Sequence, residues 1–206
     1  SGYGFTAAGH VVPYEDFIPF TDRAPGAPTG AVISPAFREG LVRSAEKLVG
    51  KTYPALLATD YMMFRRTGDR RVFEDKYFPS RTDLMVLTAA EYAEGQGRFL
   101  DSIINLVWAI LEESSWVLPA HNLVQPGGKG TLTYAVGEAY AQEVDYIDLF
   151  AAATGADLAF VWYLLHDRLA EVSEALPERI AFELQRRIIR PVLNRENHGK
   201  MFWLGI

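Results

Sequence analysis

The 206-residue sequence contains no cysteine, and only 5 of its 20 cationic side chains are lysine. Without cysteine there is no disulfide staple, and the fold rests on its own core. The redox compartment stays open, since a bacterial cytoplasm and a periplasm both tolerate this absence. No stretch reaches the roughly 18 uncharged apolar residues of a membrane span. Residues 1–10, SGYGFTAAGH, lack the charged and apolar regions of a signal peptide. Histidine is scarce as well: there are four, none at His-x-x-x-His spacing and none with a cysteine partner, so neither a metal nor a cofactor is expected. Apolar alternation with period two is confined to a short stretch from Thr131 to Val136, which argues against a sheet.

A basic face is missing too. The net charge is −6, with 12 cationic against 13 anionic residues in 1–103 and 8 against 13 in 104–206. Gripping a phosphate backbone needs a cationic surface, so nucleic acid is not an expected partner. Fifteen of the cations are arginine, which pairs bidentately with carboxylate or sulfate. That suits an acidic ligand, although internal ion pairs are the commoner use.

What the sequence has in quantity is apolar residues at helical spacing. Ser34 before Pro35 forms an N-cap with proline at the first helical position, and Phe37, Leu41, Ala45 and Leu48 then mark one face of a helix over 35–49, ended by Gly50. Pro54 opens a second helix closed by Gly68, and Asp69 caps a short third that Pro79 ends. Residues 81–94 and 98–113 read as a helical hairpin broken at Gly95 and Gly97. A second pair spans 145–169 and 177–190, divided near Pro177. Residues 1–34 read as an irregular arm and 35–206 as one helical unit. The fold class is all-α, built from antiparallel hairpins that suit a bundle, a solenoid of helix pairs or part of an α/α toroid.

Chemistry concentrates in 108–125, WAILEESSWVLPAHNLVQ, where an apolar helix feeds Trp, His and Asn into a loop. Trp116 offers a flat face to a sugar ring, His121 is a candidate acid or base, and Asn122 can hydrogen-bond a carboxylate. The competing reading places Trp116 in the core and has His121 cap a turn. Glu112 and Glu113 are adjacent, hence on different helix faces, and make a poor catalytic carboxylate pair. Tyr146 and Asp148 open a helix, where an acid suits a cap. Arg186, Arg187 and Arg190 cluster near a helix end, which suits either carboxylate recognition or the helix dipole. Tyr163 and His166 share a face, and His166 reads as closing its helix. The stretch around Lys129 lacks the full string and context of a phosphate-binding loop.

Residues 55–125 and 145–191 resemble the N-terminal helical part of heparinase II/III-like polysaccharide lyases. The matching elements are Tyr61-Met-Met-Phe-Arg65-Arg-Thr-Gly68, Glu112-Glu-Ser-Ser-Trp116-Val-Leu-Pro-Ala-His121, Tyr146-Ile-Asp-Leu-Phe-Ala-Ala152 and Arg186-Arg-Ile-Ile-Arg190-Pro191, in the family's order. The resemblance implies an incomplete α/α toroid followed by a β-sandwich domain. Its substrate would be an acidic, uronate-containing polysaccharide such as a glycosaminoglycan or alginate, cleaved by β-elimination. It implies catalytic roles for His121 and Asn122 and substrate contacts for Trp116, Glu113, Tyr146 and Arg187, with an exported, periplasmic or extracellular location. The family's Asn-Asn-Trp and later histidines have no counterpart before Ile206, and the apolar finish MFWLGI suggests a chain that continues. This chain alone is therefore expected to be inactive, and to self-associate or be unstable. The stretch between Asn122 and Tyr146 is longer than the family pattern, as a lid or specificity loop would be. Two alternatives stand beside this one: a carbohydrate-binding or glycoside-hydrolysing α/α domain, and a helical scaffold for protein partners. The scaffold would show an exposed apolar patch without a polar, aromatic-lined cleft.

Overall fold

The computed structural model describes residues 33–121 and 147–190, of which three quarters are helical, with no strand among them. The chain is thus all-α over this span. The Thr131–Val136 stretch, the arm up to residue 32, the Lys129 loop, Asn122 and Tyr146 lie outside the described residues.

Helix α1 (Pro35–Glu46) starts as its sequence dictates, with Pro35 in the first turn and the Ser34 hydroxyl accepting the Phe37 N–H at 3.4 Å. The expected second helix begins later than Pro54 and is broken into α2 (Ala58–Tyr61) and α3 (Met63–Thr67), and Gly68 closes it as predicted. Helix α4 (Arg71–Glu94) overturns an expectation, because Pro79 lies inside it instead of ending it. The proline costs the Asp75 carbonyl its helical partner, but both residues are exposed, so water can take the bond.

Gly95 then closes α4 in the left-handed conformation, φ 71°, donating to the Glu91 carbonyl at 2.7 Å. The fully buried Glu91 carboxylate reaches across the turn, accepting the Gly97 N–H at 2.7 Å and the Phe99 N–H at 3.2 Å at the start of α5 (Leu100–Leu111). The expected hairpin is formed. The second hairpin comprises α6 (Leu149–Val172) and α7 (Ala175–Leu184), with a wider π-helical turn over Gln185–Ile189. His166 sits six residues before the end of α6 and does not close it; its Nδ1 lies 2.8 Å from Asp167.

Helix α4 is the hub: α1 packs on one side, α5 and α6 on others, while α7 lies against α6 and α5. The main core joins α4, α5 and α6 through Leu84, Leu87, Ile103, Ile110, Leu158 and Leu165, all at most 3% exposed. Gly155 exists for packing, since a Cβ there would stand 2.8 Å from Ile188 Cγ1. A smaller cluster of Tyr61, Phe73, Tyr77 and Leu118 forms a second, aromatic core. Helix α6 is long and apolar enough to cross a membrane by length and composition alone, and eight of its residues are buried against neighbouring helices.

Candidate functional site

Two segments distant in sequence meet above the aromatic core: the turn after α5, ending in Pro119–His121, and the start of α6. Asp148 caps α6, its Oδ1 accepting the Ala151 N–H at 2.6 Å. Its Oδ2 accepts the Leu118 N–H at 3.2 Å and lies 2.7 Å from His121 Nδ1. A carboxylate only accepts, so Nδ1 carries the imidazole proton and the second lone pair lies on Nε2. The ring stacks on Phe150 with centroids 5.6 Å apart. Asp148 is buried while 15% of the His121 side chain remains exposed. A histidine oriented by a buried carboxylate and a packed ring is equipped for acid–base work.

Tyr77 fastens the floor. Its hydroxyl donates to the Trp116 carbonyl at 2.8 Å and lies 2.8 Å from Thr154 Oγ1, tying α4 to the turn and to α6. Burial pushes this hydroxyl up to about 12 from an ordinary 10.0. One turn on, Arg81 makes a bidentate pair with Glu113 and lays its guanidinium 3.5 Å from the Tyr77 ring centroid. Burial works against the Arg81 cation, yet Glu113 and Tyr77 together hold it above its ordinary value. Burial likewise pushes the Glu113 carboxyl up, with Arg81 and Arg187 drawing it part of the way back.

The six residues singled out in sequence separate here. His121 stands at the partly exposed end of the turn. Trp116 presents no face to a ligand: it is 2% exposed, its indole N–H donates to the Ile110 carbonyl at 3.0 Å, and Arg187 covers its ring at 4.6 Å. Arg187 is itself committed, donating to Glu183 at 2.6 Å and to the Leu111 carbonyl at 3.3 Å. Glu113 is held by Arg81. These three support the turn from within, because an apolar core tolerates a charge or an indole N–H only with a partner. Asn122 and Tyr146 lie outside the described residues.

Sequence reasoning missed Asp148 as the partner of His121, having read it as a cap; it is both. Tyr77 and Arg81 were hidden by the expected break at Pro79. Arg65 and Arg66, quoted in sequence only as part of a motif and given no role, lie on α3, the short helix packed against the His121 turn. Both are exposed and make no ion pair among the described residues, whereas Arg70, Arg98, Arg168 and Arg179 each hold a carboxylate. Among the described residues no group of three or more His, Asp or Glu side chains could hold a metal ion.

On the far side of Tyr61 and Phe73 lies a cavity of about 780 Å³, between residues 48–58, α4 and α5. Neither the 116–121 turn nor the described start of α6 lines it. No protein-family model matches the chain, and no curated protein is significantly similar to it.

Proposed function

We propose that this chain is part of an α/α toroid that binds an acidic, uronate-containing polysaccharide at the His121 turn and serves its cleavage by β-elimination. The observation that carries this reading is the placement of the His121–Asp148 pair beside a helix bearing two arginines without carboxylate partners. The residue motifs shared with heparinase II/III-like lyases add to it. Elimination needs the uronate charge met so that the C5 proton becomes removable, a base to take that proton, and an acid for the departing O4. Arg65 and Arg66 can meet the carboxylate. His121 Nε2 can take the C5 proton as the C4=C5 double bond forms and the C4–O bond breaks, and imidazolium can then protonate the leaving oxygen. The reading carries an exported location with it, because such polymers lie outside the cytoplasm.

Hydrolysis is the weaker alternative. It requires two carboxylates facing one sugar ring, and Glu113 is held by Arg81 while Glu112 lies 3.1 Å from Arg179. A protein scaffold would use exposed apolar residues such as Leu149, Phe160 and Val172 on α6, and it leaves the His121–Asp148 pair without a role.

The test is the ultraviolet absorbance of unsaturated uronate on a glycan panel, measured for the full gene product and for this chain side by side, together with glycan affinity of this chain. Elimination by the full product, cut about 100-fold or more in His121→Ala, supports the reading, as does weakened and less salt-sensitive binding in the Arg65→Ala/Arg66→Ala double variant. Reducing ends without absorbance, or no retention of any acidic glycan by either protein, would sink it.

A further inference from the structure

We propose that the cavity roofed by residues 48–58 is a second binding site, for an uncharged, mainly apolar small molecule. The roof is pinned across two helices. The Gly50 N–H donates to Ser102 Oγ at 3.4 Å, and Lys51 Nζ and the Tyr53 hydroxyl reach Asp83 Oδ2 at 2.5 and 2.7 Å. These anchors hold the segment over α4 and α5 and leave a space of about 780 Å³ beneath it. That volume is in the range of small-molecule sites, which are mostly apolar with a few polar groups that set orientation. Its walls fit this description, with Leu56, Phe73, Leu87, Leu106, Ala109 and Ile110 among them.

Charge selects the ligand. Four charged side chains line the space, and each has a partner of opposite sign: Lys51 with Asp83, Lys76 with Asp60 at 2.6 Å, Glu112 with Arg179 at 3.1 Å, and Glu113 with Arg81. An ionic ligand would have to separate one of these pairs or leave its own charge uncompensated. A neutral one does neither. The polar groups left over are Asn105, Thr52 and Ser114, exposed side chains that line the space and make no hydrogen bond among the described residues. They can offer amide and hydroxyl contacts to a ligand. The His121 turn differs on this point, since Arg65 and Arg66 on the helix beside it make no ion pair among the described residues. The two sites therefore call for ligands of different charge, and this second site does not depend on the lyase reading.

The experiment uses N-phenyl-1-naphthylamine, a neutral aromatic probe whose fluorescence rises in apolar surroundings, titrated into the whole chain. A saturable rise with one probe per chain, equal at low and high salt, is expected. Ala109→Trp and Ala55→Trp each add bulk at an exposed lining position, one on the floor and one on the roof, and should weaken binding about tenfold or more without loss of helical circular dichroism. His121→Ala and the Arg65→Ala/Arg66→Ala pair should leave it unchanged, which separates this site from the acidic-glycan site. The proposal is overturned by a rise that does not saturate, by full binding in both folded tryptophan variants, or by loss in Leu149→Lys, which would move the probe to the surface of α6.

Discussion

At the scale of single residues, Asp148 joins two tasks that are usually separate, capping a helix and orienting an imidazole. Asp148→Ala removes a cap worth about 1 kcal/mol and strands the buried Leu118 N–H at a further cost of about 1–3 kcal/mol. A combined loss of about 2–4 kcal/mol is expected in urea unfolding. Asp148→Asn keeps one acceptor, for the cap, but leaves the Leu118 N–H without its second oxygen and no longer dictates which imidazole nitrogen carries the proton; on the proposed reading, elimination by the full product should fall by more than the loss of about 1–3 kcal/mol in stability explains. Tyr77 sets an alkaline limit. Its hydroxyl ionises near 12 in the folded chain against 10.0 ordinarily, so its contribution is complete below pH 10 and lost as pH rises toward 12. Over that window the unfolding free energy should drop by about 3 kcal/mol, and Tyr77→Phe should abolish that part of the slope. The cap at Asp148 was legible, because an acid before an apolar helical run is a local signal. Its bond to His121 was not, because no periodicity links positions 27 apart.

Helix pairing is decided by a few small features. Gly155 lets Ile188 approach α6, and Gly155→Ala would push a methyl to 2.8 Å from Ile188 Cγ1. A loss of about 1–3 kcal/mol is expected, and Ile188→Ala in the same chain should restore part of it in a double-mutant cycle. Pro79 should behave in the opposite way. It is exposed, and its replacement by alanine supplies the missing bond to Asp75, so Pro79→Ala should leave the melting temperature unchanged or raise it. Both hairpins were visible in sequence, since apolar spacing and caps are local; Gly95 stops the first as read, whereas the second turns at Ser173, before the expected Pro177, which lies in the first turn of α7. The passage of α4 through Pro79 was not, because it depends on which side of the helix meets water. Trp116 was likewise open to two readings until packing around Arg187 decided between them.

For the molecule as a whole, acid stability turns on the arginines around Glu183. Burial raises this carboxyl, but hydrogen bonds from Arg187 and Arg186 outweigh it and the net shift is downward. Its contribution is therefore present above the ordinary glutamate value and lost as pH falls through the lowered one. Acid unfolding followed by circular dichroism should steepen in that window, and Glu183→Gln should flatten it. Among the described residues, the arginine excess read from composition as fit for an acidic ligand is thus mostly spent on ion pairs within the chain, buried and exposed alike, whereas Arg65 and Arg66 make none. Helix α6 also leaves Leu149, Ala152, Ala153 and Ala156 exposed, the face through which a self-associating chain would pair. Light scattering should show mass rising with concentration, and Ala156→Glu should suppress it.

The Glu91 bridge governs the order in which these parts form. Its carboxylate satisfies two N–H groups only six and eight residues ahead, so the α4–α5 turn can close without any distant segment. Contacts of short sequence separation cost little chain entropy to make and are gained early. The α4–α5 hairpin is then the natural nucleus of folding, with α1 and the α6–α7 pair condensing on it. Pulsed hydrogen exchange during refolding should find the Gly97 and Phe99 amides protected before that of Ala151, and Glu91→Gln should slow refolding more than it speeds unfolding.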